Sequence, residues 1–115
     1  MRSYTSSKGS HFRVGSTKIL YLIGDANYCR IYLITGEIVM MSRTLKWYEG
    51  RWPSFIRIHK HTLINPTYAR SLQLAPRYRE NSYVVMDDYA SLRIARRRRA
   101  FIESELAHLH VEAMA

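Results

Sequence analysis

Tyr28-Cys29-Arg30-Ile31-Tyr32-Leu33-Ile34-Thr35-Gly36-Glu37-Ile38-Val39-Met40-Met41 decides the fold class. Tyr28, Arg30 and Tyr32 fall on one side of an extended chain, and Cys29, Ile31 and Leu33 on the other. That is the period of two expected of a half-buried strand. Thr35-Gly36 reads as a tight turn, and residues 37–41 as the returning partner. Upstream, residues 17–23 are β-rich and end at the turn cluster Gly24-Asp25-Ala26-Asn27. Downstream, Ser42 is placed to cap a helix. Leu45, Tyr48 and Trp52 recur at helical spacing, and Gly50 and Pro53 close the helix. Residues 55–63 read as a strand that stops at Asn65-Pro66. Residues 68–74, 82–86 and 91–94 add short strands around a polar loop at 76–81 and a turn at Asp87-Asp88. A last helix starts near Ala95, with Ile102, Leu106 and Leu109 as its apolar stripe. The expectation is a mainly β domain with one short middle helix and a C-terminal helix.

The composition points to a polyanionic partner. The chain has 115 residues, enough for one domain. It carries 18 Lys and Arg against 9 Asp and Glu, a net charge of +9. Residues 51–99 hold eleven basic and three acidic side chains, whereas residues 100–115 hold three acidic ones and no Lys or Arg. Arg outnumbers Lys 14 to 4. The guanidinium fork grips phosphate or guanine through two parallel hydrogen bonds, which tilts the partner toward nucleic acid over an anionic membrane. One cysteine, Cys29, excludes an internal disulfide, and residues 1–15 have no apolar signal core. A cytoplasmic protein with no membrane association is expected.

The densest charge is Arg96-Arg97-Arg98-Arg99. At the start of a helix, cations oppose the macrodipole by roughly 0.3–1 kcal/mol each near the surface. An external phosphate removes the conflict by drawing backbone N–H groups and guanidinium forks together. A solvated charge run, or a membrane-surface or RNA-binding segment, accounts for the same residues. The second candidate is Arg57-Ile58-His59-Lys60-His61-Thr62-Leu63-Ile64-Asn65. If extended, it puts Arg57, His59 and His61 on one face. A loop-borne Asn65 can pair with adenine in the major groove, with His59, Lys60 and His61 on phosphates. Asn65 before Pro66 equally fits an Asx turn, which needs no ligand. His59 and His61 could form half a zinc site, but no CxxC or HExxH accompanies them. Cys29 falls on the inward side of its strand, as a buried small hydrophobe would. No GxSxG, phosphate loop or spaced carboxylate pair stands out, so neither an enzyme nor a cofactor is expected.

Taken as a set, these residues resemble the LytTR DNA-binding family. Ile19-Leu20-Tyr21-Leu22 followed by Asn27-Tyr28 is similar to the family's opening, and Ser42-Arg43-Thr44-Leu45 to the start of its middle helix. Residues 55–65 resemble its most diagnostic stretch, an Arg-x-His followed by an apolar pair and Asn. Leu92-Arg93-Ile94-Ala95-Arg96-Arg97 resembles its close. The likeness covers residues 12–107, leaving 1–11 as a flexible arm and 108–115 as a tail. It implies an elongated arrangement of small antiparallel sheets that reads double-stranded promoter DNA with loops, as a transcriptional regulator of response-regulator type. Three contact regions are implied: Asn27, Tyr28 and Arg30; His59, Lys60, His61 and Asn65; and Arg96, Arg97 and Arg98. Asn65 and Arg96 are expected to read base edges, and the others near them to hold phosphates. Two copies on repeated half-sites are implied, with no receiver domain ahead of the match and input from a separate signalling protein. The chain departs from the family pattern at Ile23-Gly24, Cys29 and Ala95. The rival readings are a protein-interaction or anti-regulator module on the same fold, an RNA or single-strand binder, and a small metal-dependent enzyme.

Overall fold

The central hairpin forms as its alternation predicts. In a computed structural model that describes residues 4–6, 15–77 and 79–113, Cys29, Ile31 and Leu33 are buried while Arg30 and Tyr32 are half-buried. Gly36 makes the turn at φ 93°, a conformation that favours glycine. In chain order the elements are β1 (Tyr4–Ser6), β2 (Ile19–Gly24), β3 (Cys29–Leu33), β4 (Ile38–Met41), α1 (Leu45–Arg51), β5 (Ile56–His59) and β6 (Thr62–Ile64). They continue with β7 (Ala69–Leu74), β8 (Ser82–Met86), β9 (Ser91–Ile94), α2 (Arg99–Glu105) and β10 (His110–Ala113). Short 3-10 turns occupy Ser16–Lys18, Pro66–Tyr68 and Arg96–Arg98.

Two sheets result, a six-stranded one in the order β1-β4-β3-β2-β6-β5 and a four-stranded one in the order β10-β7-β8-β9. Pairing is antiparallel except at β1–β4 and β10–β7. One face of the larger sheet, including Leu22, Ile31, Val39 and Leu63, packs against Leu45 and Tyr48 of α1. The other face presents Tyr21, Ile56, Ile58 and Ile64 to Leu72, Val84, Met86 and Ile94 of the smaller sheet and to Ile102 and Leu106. β2 is thus covered on both sides and buried at four consecutive positions, which explains its weak alternation. A register shift between Ile19 and Tyr21 marks the same strand. The molecule is elongated, 44 × 27 × 21 Å.

Several boundaries differ from expectation. Thr44, not Ser42, caps α1, its Oγ1 accepting the Trp47 N–H at 3.2 Å. The single strand expected at 55–63 is two strands joined at Lys60-His61. Tyr4–Ser6, inside the expected arm, pairs with Ile38–Met40, and the rest of residues 1–11 lies outside the described residues. His110–Ala113, inside the expected tail, pairs with Ser71–Leu74. Both added strands lie parallel at sheet edges, where backbone hydrogen bonds suffice and no side-chain alternation is required.

Ile102 anchors α2, being fully buried in the core cluster that residues of both sheets share. Ile102→Ala is expected to lower stability by about 3 kcal/mol through lost transfer energy and a residual cavity, read as a shifted urea midpoint with unchanged slope.

Candidate nucleic-acid interface

Three segments distant in sequence meet at one end of the larger sheet. The β2–β3 loop closes with the Asp25 N–H donating to the Tyr28 carbonyl at 2.8 Å. Beside it, the Gly24 N–H donates to the His61 carbonyl at 2.8 Å, tying this loop to the Lys60-His61 turn. On the far side of that turn, the Ala95 N–H donates to the Ile58 carbonyl at 2.8 Å. This bond joins β5 of one sheet to the end of β9 in the other and delivers the Arg96–Arg98 turn beside it. Arg98 Nη1 adds a bond to the Arg57 carbonyl at 3.2 Å.

The side chains displayed there are polar and mostly cationic. Asn27, Lys60, His61, Arg93, Arg96, Arg97 and Arg98 are exposed. Tyr28 is also exposed, its hydroxyl donating to Asp25 Oδ2 at 3.4 Å. Arg30 is half-buried in β3, between Met40 and Ile23. Among the described residues, Lys60, Arg93 and Arg96–Arg98 have no carboxylate partner, the ion pairs being Arg57–Glu49, Arg70–Asp87 and Arg99–Glu103. The crowding registers on His59. Burial first, then the charges of His61, Arg93, Lys60 and Arg57, lower its pKa from the usual 6.5. Arg99, last of the four arginines, turns inward instead and lies 3.6 Å from Glu103.

The family model for the LytTr DNA-binding domain matches residues 9–106. The chain belongs to the LytTR DNA-binding family. Membership implies DNA binding and transcriptional regulation, in a family that is not catalytic. A solved structure from Bacillus cereus, described as a LytTr DNA-binding domain, superposes with a TM-score of 0.69 at 17% identity. The match covers 81% of this chain and 84% of that one, and shows a shared fold. No curated protein matches the chain. No helix among the described residues is long and apolar enough to cross a membrane.

In this LytTR domain Asn65 is not a surface group, which corrects its expected role at a base edge. It is 5% exposed. Its Nδ2 donates to the carbonyls of Ile19 at 2.9 Å and Ser16 at 3.2 Å, and its Oδ1 accepts the Thr67 N–H at 3.1 Å. The amide caps the Pro66–Tyr68 turn and ties β6 to the start of β2. It also sits at the wrong end of β6, about 13 Å of strand from His61. Asn65 forms the Asx turn that its place before Pro66 also fits, and adds two long-range bonds. The amide that the interface does display is Asn27, with no hydrogen bond to any described residue.

The remaining candidates fall into place with this geometry. Cys29 is fully buried, and burial pushes its thiol up to about 11 against the lowering charge of Arg57, which leaves it protonated and unreactive. The His59 and His61 rings lie 5.6 Å apart, and His59 Nδ1 accepts the His61 N–H at 3.2 Å. Among the described residues no three His, Cys, Asp or Glu gather to hold a metal. Arg93 was not expected as a separate contributor. Its signal was available in β9, where exposed Ser91 and Arg93 alternate with half-buried Leu92 and buried Ile94.

Asn65→Ala is expected to cost about 2–3 kcal/mol of stability, because two carbonyls and one N–H lose their partner in a buried site. Protein refolded below its melting temperature should keep its sequence preference. A variant of unchanged stability and altered base preference would restore Asn65 as a reader.

Proposed function

We propose that this domain binds duplex DNA with sequence specificity through the end of the molecule that carries Asn27, Lys60 and Arg96. The observation that carries the reading is the convergence of Lys60, Arg93 and Arg96–Arg98 on one surface, exposed and without a carboxylate partner among the described residues, beside the loop that displays Asn27. Folding alone does not favour that arrangement, since each cation raises the potential its neighbours feel. A phosphate backbone reverses the sign of that cost and releases its own counterions.

Roles follow from reach and exposure. His59, Lys60, His61, Arg97 and Arg98 are assigned to phosphates, which fix register and orientation. Tyr28 and the half-buried Arg30 support the β2–β3 loop contact. Base edges fall to Arg96, suited to guanine, and to Asn27, whose amide suits adenine. Promoter DNA, two copies on repeated half-sites and input from a separate signalling protein complete the proposal on the strength of family membership.

Gel shift or fluorescence anisotropy on a duplex selected by the wild-type protein from a random pool tests this assignment. Lys60→Ala should weaken all duplexes alike and reduce the slope of log K against log salt by about 1. Arg96→Ala should cost about 1–3 kcal/mol on the selected duplex and relax one base position. Equal or tighter binding to single-stranded RNA of the same sequence would replace the duplex reading with the single-strand one.

The histidines give a pH signature. In the free domain the neutral form of His59 is favoured, so its share of stability is present above its usual 6.5 and is lost as pH falls through the lowered value. A phosphate beside the ring raises that value again. Binding should therefore take up protons, and affinity should rise as pH falls from about 7.5 to about 5.5. Calorimetry in buffers of different ionisation enthalpy reads the uptake, and none would remove His59 from the phosphate contacts.

A further inference from the structure

We infer that Arg57 is a positioning residue. Anchored by Glu49 of α1, its guanidinium holds the Lys60-His61 turn in its DNA-facing shape and keeps that turn beside the Arg96–Arg98 segment. This rests on the DNA-binding reading above.

The turn is of a kind that needs holding. His59 pairs with Thr62, so Lys60 and His61 form a two-residue hairpin loop. Such loops normally adopt primed turns, whose positive φ matches the twist of the flanking strands and which favour Gly, Asn or Asp. Lys60 and His61 are neither of those types, and neither has positive φ. Among the described non-glycine residues only Tyr89 does. The register also shifts between Arg57 and His59. The backbone therefore lacks the usual lock for a loop of this length.

Arg57 supplies one. Its Nε donates to the His59 carbonyl at 2.9 Å and its Nη2 to the Lys60 carbonyl at 2.6 Å, so the turn is gripped at two successive peptides. Its Nη1 donates to Glu49 Oε1 at 2.8 Å, which fixes the guanidinium to α1. The side chain is only 17% exposed and its fork is spent internally, unlike that of Lys60 next to it. The main chain of the same short stretch receives the other sheet, through Arg98 on the Arg57 carbonyl and Ala95 on the Ile58 carbonyl. One guanidinium thus sets the turn on a strand that also locates the arginine run. A lysine ammonium keeps the charge but cannot span three acceptors in this planar arrangement.

The test uses the selected duplex and a scrambled duplex of the same length, with wild type, Arg57→Lys and Glu49→Gln. The readout is the ratio of the two affinities, which does not depend on what fraction of the protein is folded. Arg57→Lys is expected to lower the ratio by about tenfold, with scrambled binding within about twofold of wild type. Glu49→Gln removes a negative charge near a polyanion, so charge alone would tighten both duplexes. Positioning instead requires the ratio to fall. Unchanged ratios in both variants, or equal tightening by Glu49→Gln, would overturn the inference. A wild-type protein that enriches no duplex from the pool would overturn the DNA-binding reading itself.

Discussion

The geometry of the candidate interface depends on one junction between sheets. The bond from the Ala95 N–H to the Ile58 carbonyl joins the edge of the six-stranded sheet to the outgoing end of β9. The Arg98 bond to the Arg57 carbonyl adds a second tie from the Arg96–Arg98 segment to the same strand. With it, that segment shares a frame with the Lys60-His61 turn, and through the Gly24–His61 bond with the Asn27 loop as well. The junction is backed by apolar packing on the same strands, where Ile58 and Ile94 are both buried in the shared core. A short polar link set on a dry core is stiff, since any sliding would expose apolar surface and break the bond together.

The electrostatic arrangement follows from that stiffness. Exposed cations in flexible loops would drift apart and lower their mutual repulsion. Here the backbone holds them close, and their charges add to burial, the larger cause, in lowering the pKa of His59. Of the carboxylates at this end, Glu49 is committed to Arg57, and Asp25 accepts the Ala26 N–H and the Tyr28 hydroxyl within the β2–β3 loop. At the opposite end the acidic groups serve structure, as where Asp88 Oδ2 accepts the Tyr21 hydroxyl at 2.8 Å and ties the two sheets together.

The fold was legible wherever a side-chain period reports one buried face. β3 and the middle helix follow the alternation or spacing visible in the sequence. β1 and β10 were not legible, because edge pairing in parallel is a backbone event. The break at Lys60-His61 was hidden for a related reason. No Gly, Asn or Asp marks it, since a side chain eight residues past α1's Glu49 does the work of turn chemistry. Asn65 shows the limit of reading a residue type. An amide before proline suits a base edge and an Asx turn equally, and only its burial and its bonds to Ser16 and Ile19 separate the two.

These outcomes divide the Arg57-to-Asn65 stretch by function in a way its composition conceals. The two residues with the strongest hydrogen-bonding geometry, Arg57 and Asn65, both face inward and hold backbone: Arg57 grips the turn at one end of the β5–β6 hairpin, and Asn65 ties the other end to β2. Multidentate side chains are valuable in a lock because one rotamer satisfies several carbonyls at little extra entropic cost. Lys60, by contrast, is exposed at the tip of the hairpin and has no carboxylate partner among the described residues. The hairpin is thus fixed at both ends by its own polar residues, and among the described residues the Lys60 side chain at its tip takes no part in that bonding.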